Sequence, residues 1–206
     1  MEQIIFEVAI GLVNCLSGNN KLVFPKYYNN SKEENRISEQ ESKILFANEL
    51  TKKNIRFSIE VPTKSKHKQK GKKLQSARFD LVTYKDKSFD FDWVIELKSK
   101  NPPIEHFEKD FEKMVLSETN CIWFHTLKNA DEQTFNVLLE KINNGIKKYI
   151  NNFVGKYIWK FALVVLEKGK LYLLDLLLEK GKFKNIDSIN QFNKKDIIDV
   201  IKGRKK

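Results

Sequence analysis

Residues 91–100 read FDWVIELKSK, an apolar run (Trp93, Val94, Ile95) that passes directly into Glu96, Leu97 and Lys98. Such a run, closed by the prolines at 102 and 103, reads as a buried strand. Side chains two apart on a strand share a face, so Glu96 and Lys98 point the same way while Ile95 and Leu97 pack. A strand that carries an acid and a base into a core needs partners for both.

The flanking pattern supplies a framework. An amphipathic helix is predicted over 1–17, with Ile4, Ile5, Val8, Leu12 and Leu16 at helical spacing and a stop near Gly18. A polar connector fills 19–36, and a second helix covers 37–54. Strands follow at 55–63, 77–84 and 91–100, then a helix at 104–116 and a strand at 121–127. One or two helices span 131–153 with Asp131 as N-cap. A hairpin over 157–178 turns at Glu167-Lys168-Gly169, and a short helix closes the chain. This order predicts an α/β fold with a mixed central β-sheet and helices on both faces. The organisation expected is an N-terminal helix and connector (1–36), a core (37–127) and a C-terminal segment (128–206) that completes the same domain.

The chain has 206 residues, 41% of them hydrophobic, enough to bury a core. Its formal net charge of +11 favours a polyanionic partner, nucleic acid or an acidic membrane surface. Six lysines (Lys64, Lys66, Lys68, Lys70, Lys72 and Lys73) crowd the loop between the first two strands, with no acid between Val61 and Phe79. They are the candidate contacts to a phosphate backbone. No basic amphipathic helix with large exposed apolar residues stands out for a membrane surface, and no apolar run is long enough to span one. Cys15 and Cys121 are far apart and form no CxxC pair, which suits a reduced cytoplasmic protein without structural zinc. The apolar N-terminus lacks the basic region of a signal peptide, and Glu7 interrupts it.

On the strand before FDWVIELKSK, Asp80 sits between Phe79 and Leu81, both expected in the core. If the two strands pair as a meander, Asp80 approaches Glu96. Adjacent carboxylates repel and require a cation. Lys98 can neutralise one charge, and a Mg²⁺ ion, which takes one or two carboxylates with water and phosphate oxygens, can meet the rest. A plain ion-pair network among the three is the alternative that the same charges allow.

Asp80, fifteen residues, then Glu96-Leu97-Lys98 resembles the motif of the PD-(D/E)xK nucleases, the core shared by many restriction endonucleases and repair nucleases. Only two E-x-K triplets occur, at 41–43 and 96–98, and only the second lies in a predicted strand. The resemblance covers about 37–127 and departs from the family pattern at Phe79, where the name has proline. It implies a restriction-endonuclease-like core and a metal-dependent endodeoxyribonuclease of restriction, defence or DNA repair, leaving 5′-phosphate and 3′-hydroxyl ends. Asp80, Glu96 and the Leu97 carbonyl would bind Mg²⁺, with Mn²⁺ able to substitute, and Lys98 would orient or activate water. Glu41, on the stripe of Ile37 and Ile44, would be the first-helix glutamate, since Glu39 is turned away from it by about 160°. A homodimer would bring the two sites that double-strand cutting needs. The rival reading is a non-catalytic nucleic-acid-binding protein on the same fold.

Overall fold

The computed structural model describes residues 1–29, 32–67, 75–100, 103–149, 151, 155–179, 182–185 and 189–202. Helix α1 (Glu2–Leu16) buries Ile4, Ile5, Val8 and Leu12 and gives way at Gly18, whose φ of +71° suits a residue without Cβ. A two-stranded ribbon, β1 (Lys26–Asn29) with β2 (Lys32–Asn35), follows where the sequence reads as a connector. Its cross-strand pairs are polar, Lys26 on Glu33 at 2.9 Å and Tyr27 on Glu34 at 3.4 Å, so no apolar alternation marks it.

Helix α2 (Glu39–Lys52) starts at Ser38, whose side chain accepts the Gln40 amide at 3.3 Å. The meander β3 (Phe57–His67), β4 (Gln75–Tyr84) and β5 (Phe91–Ser99) comes next, then α3 (Ile104–Leu116) and β6 (Asn120–Leu127). Helix α4 (Glu132–Tyr149) is continuous, and Asp131 caps it by accepting the Thr134 amide at 2.7 Å. The expected hairpin is β7 (Lys156–Val165) with β8 (Lys170–Glu179), turning through Gly169 at φ +56°. Two short strands, β9 (Lys182–Asn185) and β10 (Asn190–Asn193), and helix α5 (Lys194–Ile201) end the described chain.

One eight-stranded mixed sheet runs β10-β8-β7-β6-β5-β4-β3, with β9 also on β8. The strands β5, β6 and β7 are parallel and the other pairs antiparallel. Parallel neighbours need crossovers, and α3 and α4 supply them on one face. Phe107, Phe111 and Leu138 join Val82, Val94, Trp123 and Trp159 there. On the other face α1, α2 and α5 cover Leu81, Ile95, Leu97, Ile122 and Phe124. The central strand β6 is buried from Cys121 to Leu127, as an apolar run covered on both faces should be.

Candidate active site

The site forms where β4 leaves its neighbours. Main-chain pairing of β4 with β5 runs from Tyr84↔Phe91 to Leu81↔Ile95 and stops. The next residue, Asp80, continues the ladder with its side chain: Oδ2 accepts the Leu97 amide at 2.8 Å. On the opposite edge the β3–β4 register passes from Ile59↔Leu81 to Val61↔Phe79, and Glu60 between them adopts φ +52°. Phe79 and Leu81 are buried on either side of Asp80.

Glu96 and Lys98 share a face and meet α3. Glu96 is 1% exposed; burial raises its pKa to about 8, against the pull of the Lys113 ammonium, and the charges of Asp110 and Asp80 raise it further. Its Oε2 accepts Lys113 Nζ at 2.8 Å, while Oε1 is buried without a partner. Lys113 also donates to the Arg78 carbonyl at 3.0 Å and lies 2.7 Å from Asp110 Oδ1. The other Asp110 oxygen is 2.7 Å from Lys98 Nζ. Glu96, Lys113, Asp110 and Lys98 thus form a chain of alternating acids and bases. Burial works against the Lys98 charge, but Asp110, with Glu39 and Glu96 adding to it, outweighs burial and holds the pKa above the ordinary lysine value. The direct ion pair of Lys98 is therefore with Asp110 rather than with Asp80 or Glu96.

Helix α2 brings a second acid and base. Glu39 Oε1 accepts the Ser99 amide at 3.3 Å. Burial raises the Glu39 pKa, with Asp80 adding to the rise and Lys98 opposing it. One turn on, Lys43 lies 3.2 Å from Asp80 Oδ1 and also pairs with Glu60. Glu41 is elsewhere: it is buried, accepts the Ser38 hydroxyl at 2.6 Å and lies near Cys15 of α1. The reason is register. The helix buries Glu41, Ser42, Leu45, Phe46, Glu49 and Leu50 and leaves Ile44 53% exposed, so Ile44 does not continue a sheet-facing stripe, and the buried Glu41 lies on the α1 side.

The structure brings Asp80, Glu96 and Lys98 together, with Leu97 between them giving its amide to Asp80. Lys64 and Lys66 lie on β3, while Lys68, Lys70, Lys72 and Lys73 lie outside the described residues. Sequence reasoning missed four site residues: Glu39, Lys43, Asp110 and Lys113. Asp110 and Lys113 are charged residues of an amphipathic helix, yet each is only 6% exposed. A signal existed for Asp110, which sits three residues after Phe107 and four before Met114, on the apolar stripe itself. His125 is a satisfied core residue: burial lowers its pKa to about 4, so the neutral ring donates from Nε2 to the Lys100 carbonyl.

Among the described residues no three ligating side chains form a ready-made metal group. The donor set nevertheless suits Mg²⁺ in its usual form, one or two carboxylates completed by water and phosphate oxygens. Asp80 and Glu96 are hard oxygen donors on adjoining strands, and Glu96 Oε1 is a buried acceptor without a partner. The sequence matches no protein-family model and no curated protein.

Proposed function

We propose that the chain is a metal-dependent endodeoxyribonuclease with a restriction-endonuclease-like core, acting in restriction, defence or DNA repair. One observation carries the reading: the Asp80 and Glu96 carboxylates act on each other where β4 and β5 part, with Lys98 within reach of the Glu96 charge, in a helix–meander–helix–strand order. Asp80 and Glu96 would hold Mg²⁺ or Mn²⁺, which when bound polarises the phosphate and lowers the pKa of a bound water. The chain's own groups have separate tasks. Lys98, kept as an ammonium by Asp110, stabilises negative charge growing on the phosphate and is a poor base. Glu39, whose carboxyl is raised by burial, is the proton acceptor from α2 that the site offers. Lys113 keeps Glu96 in place from behind.

A second reading, a non-catalytic nucleic-acid-binding protein, draws on one feature of the same site. Lys43, Lys98 and Lys113 each pair with a carboxylate, as a structural ion-pair network would arrange them. Incubation with supercoiled plasmid and linear duplex in Mg²⁺, Mn²⁺ or EDTA separates the two. The nuclease cuts with metal, not in EDTA, and Asp80→Asn and Lys98→Ala abolish cutting. Wild-type protein that binds DNA equally in EDTA and never cuts overturns the proposal in favour of the binding protein.

A further inference from the structure

Beside the carboxylates lies a cleft of about 630 Å³ between the β1–β2 ribbon and the ends of β5 and β6. Ile37 and Lys100 line it and adjoin Glu39 and Ser99 of the site along the chain. Tyr27, Arg36 and Lys128 also line it, as does Glu34, whose carboxylate accepts the Tyr27 hydroxyl at 3.4 Å. The cations here differ from those of the site. Among the described residues, Arg36 and Lys100 pair with no carboxylate, whereas Lys43, Lys98 and Lys113 all do. Lys128 is held loosely, 3.6 Å from Glu34 and 3.9 Å from Glu167.

The rim is fixed. Lys100 adopts φ +63°, a conformation that costs a non-glycine residue energy. Its amide donates to the Thr126 carbonyl at 3.3 Å, and its carbonyl accepts His125. The Arg36 amide closes the base of the ribbon on the Pro25 carbonyl at 2.7 Å. The ribbon itself exposes aromatic surface: Tyr27 is 42% exposed and Tyr28 on its other face 79%. Neither belongs to the apolar cores. An exposed ring beside unpaired cations on a fixed rim is the composition of a platform for nucleic-acid strands, with phosphates on the cations and a base on the ring.

We infer that this cleft seats a DNA strand carrying an unpaired base, with Arg36 and Lys100 on its phosphates and Tyr27 stacked on the base. The ring selects for unpaired DNA because each base inside a continuous duplex already has both faces covered. The inference rests on the nuclease reading and specifies its substrate: a duplex with a single-stranded segment rather than a blunt, continuous one.

Fluorescence anisotropy in EDTA tests it, using one labelled duplex made blunt and the same duplex with a single-stranded overhang. Wild-type protein is expected to bind the overhang on the order of tenfold more tightly, the contribution of stacking one base. Tyr27→Ala abolishes the preference, and Tyr27→Phe, which keeps the ring but loses the Glu34 bond, retains it. Tyr28→Ala on the opposite face also retains it, which separates loss of the platform from loss of the ribbon. Arg36→Ala with Lys100→Ala weakens binding to both DNAs and reduces the salt slope by about 1.4 to 1.8. Equal binding of blunt and overhang DNA by the wild type, or an unchanged preference in Tyr27→Ala, overturns the inference. Because this assay needs no cutting, a protein that prefers the overhang but never cleaves refutes the nuclease reading alone. One that cleaves without the preference refutes this inference alone.

Discussion

The Asp80 carboxylate accepts the Leu97 amide at 2.8 Å, one residue beyond the last main-chain pair between their strands. The carboxylate therefore acts as a rung of the ladder as well as a charge. Asp80→Asn keeps an oxygen that can accept this bond and leaves Lys43 with Glu60. Asp80→Ala strands a part-buried amide, at about 1–3 kcal/mol. In a chain of this length each kcal/mol lowers Tm by about 2–4 °C. Thermal melts are expected to rank wild type and Asn together and Ala below them, while both variants lose any Mn²⁺-induced stabilisation. Equal melting of the Asn and Ala variants would show that the bond contributes nothing.

Lys98 is oriented by Asp110 at 2.7 Å, and Asp110 pairs with Lys98 and Lys113 rather than with Asp80 or Glu96. Removing its charge should disturb the reaction through Lys98. Under the nuclease reading, Asp110→Asn lowers the cleavage rate about 10- to 100-fold, the usual effect of losing a group that orients a site residue. It also lowers the Lys98 pKa, since this carboxylate is the largest of the charges that hold it up. The alkaline limb of the pH–rate profile then moves to lower pH. A rate loss with an unmoved profile would mean that Asp110 acts through packing alone.

The fold was legible where burial and period agree. The apolar runs of FDWVIELKSK and CIWFHTL became β5 and β6 at the centre of the sheet. Asp80 was legible because its neighbours Phe79 and Leu81 had to be inside. The helix carboxylate was not. Residues 39–45 mix charges and apolar residues on every side, so Ile44 suggested a stripe that the stronger set Leu45, Phe46, Leu50 displaces, bringing Glu39 to the site. The β1–β2 ribbon was hidden because it buries little and pairs through Lys, Tyr and Glu. Asp110 and Lys113 were hidden because each is stable inside only through the other and through β5, a contact that sequence spacing does not reveal.

Glu96 gives stability a pH dependence of defined sign. Its folded pKa is raised by burial from 4.5 to about 8. Between those values the native protein binds a proton that the unfolded chain releases, so this group's contribution is lost as pH rises through the window. Lys113, whose pKa is raised, contributes a constant amount there, because it is charged in both states. Glu96→Gln removes the loss and leaves Lys113 with Asp110 and the Arg78 carbonyl. Relative to wild type, the variant should gain at least about 1.4 kcal/mol between about pH 5 and about pH 8, the equivalent of one pKa unit. Urea midpoints of both proteins at the two pH values measure it. A constant gap would mean that Glu96 has the same charge throughout.

Gly145 of α4 faces the ring of Phe111 so closely that a Cβ built there overlaps it. The ring has no room to yield. Phe111 is fully buried, stacked on Trp123 at 5.0 Å and parallel to Trp159 at 6.1 Å. Alanine in place of glycine favours the helix by about 1 kcal/mol, while overpacking a core costs about 1–3 kcal/mol. With the ring pinned, the upper part of that range applies, and Gly145→Ala should destabilise by about 2 kcal/mol net. The competition is testable, since the helix gain is independent of Phe111 and the clash is not. In a Phe111→Leu background the same substitution should cost far less or stabilise, giving a coupling of about 0.5–3 kcal/mol between contacting residues. Urea denaturation of the four proteins closes the cycle. Additive effects, or stabilisation by Gly145→Ala alone, would show that α3 and α4 can separate to admit the methyl group, and that the layer carrying Asp110 and Lys113 is softer than its aromatic stacking implies.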